Sequence, residues 1–490
     1  MLTISVKNFG PIAEGSVDLK PLTIFVGPSN TGKSYMATAV YAVMRAVEGR
    51  PQVPFIRNLQ RRGIPVSFSY PDPTKASDEL ADAVRLWVSQ QEGKSWDPEE
   101  ELPVSTMSPK IRAALVDSTR QVLEAVRDDV IRQLAYGFGD TSNLVNRIAS
   151  REDFVLVIHR DDPLLNLAVG LIESKSAEPN FDISQASTPS YKIENWGVDH
   201  HKDLETFPGL YHDFFFMARI LTAEFALREF GKKSYYLPAS RSGTVQARRF
   251  LSSSLIRQSS NPESASISIS GLPGPSAEFL SDLISLDGWG RPPQDELDQA
   301  VSFIERNVMH GQIDLDRSPS LPLPEIAYET PIGKFTIDRT SSMVSELAPF
   351  ILFLKYLVSP GDLLILEEPE SHLHPAAQRK LARGIVRLVN AGVKVLITTH
   401  SDIFVSQINN LLRASYASKR WLREHGYAPE DCIRHDDVSA YLFQIDEEIG
   451  GSRVKELEIQ RDVGIEDPLF SQVIHELYEE TILVERIKPK

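Results

Sequence analysis

The chain lacks most features of secreted and membrane proteins. It has one cysteine, Cys432, among 490 residues, which excludes an internal disulfide and is typical of a reducing compartment. The longest apolar run near a helix, residues 350–358, contains Lys355 and is too short to span a bilayer. Residues 1–20 contain no apolar core of the signal-peptide type. We therefore expect a cytoplasmic protein without a membrane partner.

A surplus of positive charge is also missing. The chain has 52 Lys and Arg against 67 Asp and Glu, a net charge of −15. This argues against a surface that is basic overall, but a local groove for nucleic acid stays possible because phosphate binding depends on clustered charge. No heptad repeat is sustained, which excludes a long coiled coil.

The most informative stretch is residues 27–34, G-P-S-N-T-G-K-S, which matches the phosphate-binding pattern G-x-x-x-x-G-K-[ST] at every fixed position. An apolar strand pattern precedes it and helix-forming residues 35–45 follow it, which is the context that the motif requires. The candidate phosphate-binding residues are Gly27, Pro28, Ser29, Asn30, Thr31, Gly32, Lys33 and Ser34.

Each part of this loop has a physical task. Gly27 and Gly32 allow a tight turn and a close approach of the backbone to phosphate oxygens. The N–H groups of the turn and of the following helix start attract the anion. We expect Lys33 to reach the β- and γ-phosphates of ATP and the Ser34 hydroxyl to bind Mg²⁺. The alternative is a glycine-rich turn with an unrelated lysine.

Residues 51–231 contain no further nucleotide motif, and their amphipathic patterns predict a mostly helical insertion. The clearest helix starts at Ser108-Pro109, a second covers residues 211–230, and a short strand is expected at 154–158. The nucleotide domain would then consist of 1–50 and 232–490.

The last third of the chain alternates strands and helices, which favours a mainly parallel α/β sheet. A buried strand at 363–366 ends in Glu367 and Glu368, and a second at 393–397 ends close to His400. Ligands bind at the carboxyl ends of parallel strands, so these residues and the phosphate loop are expected to form one site.

The residue types suit ATP hydrolysis, which needs bound phosphates, a bound metal and an aligned water. Glu367 is expected in the Mg²⁺ shell, directly or through water. Glu368 is expected to orient and polarise the attacking water as a general base, and His400 to contact the γ-phosphate. The alternative is a solvated loop with two glutamates and an ordinary surface histidine.

Two segments carry a family resemblance: L-L-I-L-E-E-P-E-S-H-L-H-P at 363–375 and T-T-H-S at 398–401. They resemble the ATPase heads of the ABC class, in the soluble branch that includes RecF, SMC and the overcoming-lysogenisation-defect (OLD) nucleases with their stand-alone relatives. The opening V-K-N-F-G-P-I is similar to the same branch. The resemblance covers about 1–50 and 232–480 and implies an α/β P-loop NTPase fold, an ABC-type ATPase head.

The resemblance also implies a signature loop that reaches the γ-phosphate of a second copy, in an ATP-dependent dimer or higher oligomer. The matching segment is S-S-M-V-S-E-L at 341–347, where Ser341 and Ser342 would serve and Met343 replaces the usual glycine. The alternative is a serine-rich helix start capped by Ser345. Arg241, in P-A-S-R-S-G, resembles a recurrent element that touches nucleotide, and a plain surface arginine is the alternative.

No acidic D-x-D cluster follows His400, so we expect no nuclease in this chain, in contrast to the OLD nucleases. The leading hypothesis is an ATPase that controls a separate effector, such as a nuclease, in DNA repair or anti-phage defence. A DNA- or protein-binding scaffold with nucleotide as an assembly cue is the alternative, and a structural ATPase hub without DNA contact is a third. DNA binding would involve a basic and aromatic segment: Arg413, Lys419, Arg420, Trp421 and Arg423. The alternative for this segment, which we favour, is a solvated amphipathic helix.

Overall fold

The fold is described from a computed structural model. The described residues are 2–48, 101–103, 109–139, 144, 154–160, 164–170, 180–182, 190–192, 232–246, 273–286, 291–317, 324–461, 463–466 and 468–485.

The strands in chain order are β1 (Leu2–Phe9), β2 (Ile12–Leu19), β3 (Leu22–Val26), β4 (Glu101–Pro103), β5 (Val155–Arg160), β6 (Leu164–Gly170), β7 (Asn180–Asp182), β8 (Ser190–Lys192), β9 (Ser234–Leu237), β10 (Gln312–Asp316), β11 (Glu325–Thr330), β12 (Gly333–Thr336), β13 (Leu363–Glu367), β14 (Lys394–Thr399), β15 (Val438–Asp446), β16 (Gly451–Glu456), β17 (Ile459–Gln460) and β18 (Gly464–Ile465). The α-helices are α1 (Lys33–Val47), α2 (Pro109–Phe138), α3 (Gly274–Ile284), α4 (Asp295–Ile304), α5 (Ser342–Tyr356), α6 (Pro375–Asn390), α7 (Asp402–Ala414), α8 (Lys419–Glu424) and α9 (Pro468–Glu485).

The chain divides into two compact units. The first contains Met1–Ser5, Val43–Arg132 and Val155–Phe230, and the second contains Val6–Ala42, Gln133–Phe154 and Gly231–Lys490. The sequence-based division into a nucleotide domain at 1–50 and 232–490 and an insertion at 51–231 stays a prediction.

The first unit contains both helix and strand. The predicted helix at Pro109 is present as α2, and its apolar stripe is buried at Ile111, Leu115, Val126 and Val130. The strand expected at 154–158 is present as β5, which pairs antiparallel with β6, and β6 with β7. The helix expected at 211–230 lies outside the described residues, so the mostly helical character of the insertion stays a prediction.

The second unit is built on a mainly parallel sheet with the strand order β1-β2-β16-β15-β3-β14-β13-β9, to which β1 contributes residues 6–9. The five strands β15, β3, β14, β13 and β9 are parallel to one another, whereas β15 and β16 are antiparallel. Their centres are continuous apolar runs, as expected of strands buried on both faces. The predicted α/β P-loop NTPase fold is confirmed.

Helices pack on this sheet through regular apolar stripes. Helix α6 starts at Pro375, because proline suits the first turn, where its missing N–H is not needed. Its residues Leu381, Ile385 and Leu388 are fully buried. The strands β11 and β12 form an antiparallel hairpin. Within the described part of the chain, no helix is long and apolar enough to cross a bilayer.

Helix α5 starts earlier than expected. The sequence indicates a start at Ala348, whereas the helix begins at Ser342, with Ser341 as the N-cap. The reason is the apolar series Val344, Leu347 and Ala348, which is buried and continues the helical stripe toward the N-terminus. Ser341 and Ser342 therefore form the start of helix α5, as its N-cap and its first residue.

Candidate nucleotide site

The backbone of the phosphate loop requires both of its glycines. Gly27 has a φ of 136° and Gly32 a φ of 95°, values that side chains rarely adopt. A Cβ atom on Gly27 would also collide with the main-chain oxygen of Phe443 on β15. The Thr31 hydroxyl donates to the Pro28 carbonyl over 2.8 Å, which closes the turn from inside. The loop is thus held open as a backbone cradle directly before α1.

The exposure of the loop residues divides them into two groups. Thr31, Gly32 and Lys33 are buried. Pro28, Ser29 and Asn30, which form the outer side of the loop, are exposed, and so is Ser34 in the first turn of α1. Exposed N–H groups and a hydroxyl at a helix start are what an incoming phosphate and its cation meet first.

The Lys33 amine is held inside the loop. It donates to the carbonyl oxygens of Gly27 at 2.8 Å and Pro28 at 2.6 Å. Burial lowers its pKa to about 8, although the nearby carboxylates of Glu368, Glu370 and Glu367 act in the opposite direction. A phosphate bound in the loop would therefore interact with a positive charge that is already desolvated.

The strand register brings the predicted residues together. Thr399 on β14 lies opposite Val26, the last residue before the loop, and Glu367 on β13 lies opposite Thr398. Because the three strands are parallel and adjacent, their carboxyl ends form one edge. The phosphate loop, Glu367 and His400 all extend from that edge, as the sequence predicts.

Glu367 has an unusual environment for a carboxylate. The side chain is only 8% exposed. Its Oε2 accepts from the Ala239 N–H over 3.3 Å, but its Oε1 is buried and has no hydrogen-bond partner among the described residues. A buried, unpaired carboxylate oxygen is costly, and a cation would compensate that cost.

Glu368 is half-buried and adopts a left-handed backbone with φ of 42°. Its N–H donates to the Thr398 carbonyl over 2.9 Å, and Ser371 Oγ donates to its Oε2 over 3.2 Å. His400 Nε2 lies 3.4 Å from its Oε1. The hydrogen bond from His400 lowers the pKa of Glu368 more than burial raises it. The carboxylate is therefore ionised at neutral pH, and its strained backbone is typical of functional sites.

The sequence analysis missed Glu370. This carboxylate is 9% exposed, and its Oε1 accepts from Thr399 Oγ1 at 2.5 Å and from the His400 N–H at 2.9 Å. Its Oε2 is buried without a hydrogen-bond partner in the described chain. Glu370 is visible in the sequence as the third acidic residue of E-E-P-E. Its spacing of two residues from Glu368 did not reveal that its side chain is buried.

Arg241 corrects a sequence expectation. It is not a surface residue, because its side chain is 1% exposed and bonded to protein groups, and its contact with nucleotide stays a prediction. Its Nε lies 3.0 Å from Glu346 Oε1, and its Nη1 donates to the carbonyl of Glu367 over 2.6 Å. Burial lowers the pKa of this guanidinium, while Glu346 opposes the shift. Glu346, fully buried, is a second residue that the sequence did not reveal.

The signature segment, residues 341–347, differs from the rest of the site. Ser341 and Ser342 are exposed, and Ser341 Oγ accepts from the Val344 N–H over 3.4 Å as the N-cap of α5. Ser345 is not the cap that the sequence suggested, since it is buried and donates to the Ile337 carbonyl. The two serines and the helix start present donors to the outside, as anion binding requires.

The residues present fit Mg²⁺ and a nucleoside triphosphate. The unpaired Glu367 Oε1 and the exposed Ser34 hydroxyl are hard oxygen ligands of the kind that Mg²⁺ prefers. The glycine cradle and Lys33 supply N–H groups and positive charge for phosphate.

Part of the chain matches a known protein family. Residues 326–406 match the family described as "AAA domain, putative AbiEii toxin, Type IV TA system". The match includes the signature segment, β13 and β14. Together with the strand-end geometry it supports a P-loop ATPase. No curated protein matches the chain significantly.

Several solved SMC heads are distantly similar in structure. An SMC head bound to the C-terminal winged-helix domain of ScpA is 11% identical, with a TM-score of 0.38 and coverage of 94% of this chain and 98% of that one. The SMC head domain from Thermotoga maritima is 9% identical, with a TM-score of 0.34 and coverage of 93% and 98%. A Pyrococcus furiosus SMC head with an extended coiled coil, bound to the C-terminal domain of ScpA, is 10% identical, with a TM-score of 0.36 and coverage of 98% and 100%.

Proposed function

We propose that this protein is an ABC-type ATPase that binds and hydrolyses ATP, assembles around it, and thereby controls a partner protein. The observation that carries the proposal is the meeting of Lys33, Glu367, Glu368 and His400 at one edge of the parallel sheet. An unpaired buried carboxylate oxygen and an ionised carboxylate held by His400 lie at the same edge.

The chemistry requires little from the protein beyond placement and charge. Lys33 and the loop N–H groups bind the phosphates. Glu368, whose pKa is lowered, is a weak base, so its task is to accept a hydrogen bond from water and aim the oxygen at the γ-phosphate. Water adds to phosphorus as the bond to the β-phosphate oxygen breaks, and the products are ADP and phosphate. His400 holds the Glu368 carboxylate and contacts the γ-phosphate.

Mg²⁺ would be held by the Ser34 hydroxyl and Glu367, and when bound it neutralises charge on the phosphate oxygens. The Glu367 backbone is fixed on β13, and its Oε2 is oriented by the Ala239 N–H, so Oε1 is the atom left for the cation.

Completion of the site by a second copy follows from the exposed signature segment. Ser341 and Ser342 are both exposed where α5 begins, so they are accessible to a second copy. We propose that they bind the γ-phosphate held by another copy, which makes ATP the bridge of a dimer or higher oligomer.

The test is Glu368→Gln in the full chain. We expect ATP turnover to fall about 100-fold or more while nucleotide binding persists, since removal of a positioned base typically costs that much. With ATP and Mg²⁺ the mass of the variant should double or more by light scattering. The double variant that carries both Glu368→Gln and Lys33→Met should keep its original mass under the same conditions. Unchanged turnover contradicts the role of Glu368, and unchanged mass contradicts assembly.

The biological role that we propose is DNA repair or anti-phage defence in the cytoplasm, through a separately encoded effector such as a nuclease. The family description, with its toxin–antitoxin term, supports defence. ATP-dependent capture of the purified product of an adjacent nuclease gene by Glu368→Gln tests this role, with Lys33→Met as the control. Equal capture by both variants contradicts it.

A second candidate is a DNA-binding scaffold in which nucleotide is mainly an assembly cue. Trp421 on α8 is 41% exposed and stacks on His425 with ring centroids 4.1 Å apart, next to exposed Lys419 and Arg423. Against it, Arg420 is paired with Glu424 at 2.7 Å. DNA binding that weakens steeply with salt and is lost in Lys419→Glu would favour the scaffold.

A further inference from the structure

Arg241 is the point at which three elements of the second unit meet, namely the ends of β9 and β13 and the helix α5. Its Nη1 donates to the carbonyl oxygens of Pro238, after β9, at 3.1 Å and of Glu367, at the end of β13, at 2.6 Å. Its Nη2 donates to the Glu368 carbonyl over 3.3 Å. Its Nε donates to the Glu346 carbonyl over 3.2 Å and lies 3.0 Å from that residue's Oε1.

Glu346 continues the link toward the signature segment. It lies in the second turn of α5, one residue before the end of the segment, and is fully buried. Its Oε1 accepts from the Arg241 N–H over 3.3 Å, and its Oε2 from the Ser242 N–H over 3.0 Å. The charge pair is thereby fixed from both sides by the main chain.

This arrangement has little freedom to relax. A guanidinium is planar, and its donors form a rigid fork, so a shift of any one acceptor moves the others or breaks a bond. Both charges are desolvated, and breaking such a pair leaves an uncompensated buried charge. A movement of the first turns of α5 therefore cannot leave the carbonyl groups of Glu367 and Glu368 unaffected.

We infer that the Arg241–Glu346 pair is a mechanical link that couples the signature segment to the water-positioning Glu368 of the same chain. The inference rests on the proposed function. Contact of Ser341 and Ser342 with another copy's nucleotide sets the position of α5, and Arg241 transmits that position to the strained backbone of Glu368. Arg241 is a positioning residue, since its buried guanidinium donates to main-chain carbonyl groups and acts through Glu368.

The link has a thermodynamic consequence. If the signature segment influences Glu368, then nucleotide bound beside Glu368 influences the signature segment equally, because coupling of binding free energies is reciprocal. Each copy then responds to its own nucleotide and to its neighbour's. Hydrolysis should be cooperative in ATP concentration in a way that depends on Arg241.

Arg241→Lys separates the mechanical link between the signature segment and Glu368 from the charge pair with Glu346. Lysine keeps the charge pair with Glu346 but cannot reach three further carbonyl groups with one amine. We expect nucleotide affinity to change less than threefold, kcat to fall at least tenfold, and the Hill coefficient for ATP to fall to about 1. Cooperativity is the readout that mere destabilisation would not remove.

The matched control lies on the same helix. Lys355, in the last turn of α5, pairs with the buried Glu305 at 2.8 Å, far along the helix from the signature segment. Lys355→Met breaks a half-buried charge pair without touching the strand ends, so it should lower thermal stability and leave kcat and the Hill coefficient unchanged. Equal kinetic loss in the two variants at matched stability overturns the link.

A second measurement does not depend on turnover. Hydrogen exchange of the amides of residues 344–347 should slow when ATP and Mg²⁺ bind to the wild-type chain at a concentration where it is monomeric, and should not respond in Arg241→Lys. An equal response in both proteins overturns the link while the proposed ATPase stands. Failure of the wild-type chain to bind ATP overturns both.

Discussion

The two halves of the candidate site are built in opposite ways. The catalytic side, made of the phosphate loop, the acidic segment 367–370 and His400, buries Lys33, Glu367 and Glu370 and fixes Lys33 and Glu370 with short hydrogen bonds. The signature segment, residues 341–347, leaves its two leading serines exposed and buries only the residues that anchor the helix. The catalytic side is held in place by hydrogen bonds within its own chain. The signature segment has exposed serines that are accessible to a second molecule.

This difference follows from what each half must do. A buried lysine and buried carboxylates act strongly on a bound ligand because they are already desolvated, and they need not reorganise during the reaction. A surface that engages a second molecule must stay accessible until that molecule arrives. The contrast between buried charges and exposed serines predicts unequal consequences of mutation.

Lys33→Met should have the largest effect, because it removes the one buried cation of the catalytic side. We expect ATP affinity to fall about 100-fold or more, the cost of truncating one partner of a buried charge pair. Thermal stability should be retained, since the burial that lowers the pKa of Lys33 is unfavourable to its charge. Isothermal titration with a nonhydrolysable ATP analogue measures the affinity.

Mixtures of Lys33→Met with the wild-type chain test whether the catalytic side and the signature segment act independently. The signature segment of Lys33→Met is intact, so this variant should still complete the site of a wild-type copy. Each wild-type site should then keep its full activity, so an equimolar mixture should have about half of the activity of the wild-type chain at the same total concentration. Activity that falls with the square of the wild-type fraction would show that the two halves are not independent.

Glu370 offers the next largest effect. Glu370→Ala should lower kcat about 100-fold, because it removes the acceptor of Thr399 Oγ1 and the His400 N–H. Glu370→Gln should lower it only about tenfold, since the amide oxygen keeps both hydrogen bonds and loses the charge. Steady-state kinetics of the two variants decides this, and equal losses would contradict the positioning role of Oε1.

The pH profile should separate binding from stability. Because the pKa of Lys33 is about 8, kcat/KM for ATP should fall as pH rises through that value, reflecting the free enzyme. Stability should change in the opposite direction. Between about 8 and 10.5, the ordinary pKa of lysine, the unfolded chain binds more protons than the folded one, so the free energy of unfolding rises with pH there. A flat kcat/KM profile from pH 7 to pH 9 would contradict the buried state of Lys33.

The smallest effects are expected in the signature segment, where two neighbouring serines form a matched pair. Ser341→Ala removes the N-cap of α5 and should cost about 0.5–1 kcal/mol of unfolding free energy, because the hydrogen bond is long. Ser342→Ala should leave stability unchanged and weaken ATP-dependent assembly a few-fold. Thermal melts and light scattering test both, and a stability loss in Ser342→Ala would contradict an outward role.

Sequence reasoning located the phosphate loop, Glu367, Glu368 and His400 because each follows an apolar strand, and strand ends are visible in the local pattern of residues. It could not locate the inward turn of Glu370, which depends on the left-handed backbone of Glu368 and on the position of β14. It placed the start of α5 six residues late, since a serine run can cap a helix or begin it. The site roles themselves stay predictions until the variants are measured.

Arg241 shows where local information ends. Its neighbours P-A-S-R-S-G suggest a polar loop, and a surface or ligand-binding arginine was the reasonable expectation. The fold instead buries it against Glu346, more than a hundred residues away in the chain. No spacing rule connects them, because their partnership exists only once β9, β13 and α5 have packed together.

The sequence by itself determined the α/β fold and the phosphate cradle, because periodicity, glycine positions and strand ends are local properties encoded over a few residues. The tertiary structure decided which charges are buried, which carboxylate oxygens are left unpaired and which arginine joins the signature segment to the catalytic side. Those properties depend on desolvation and on contacts between distant segments, and both are fixed only when the strands and helices come together.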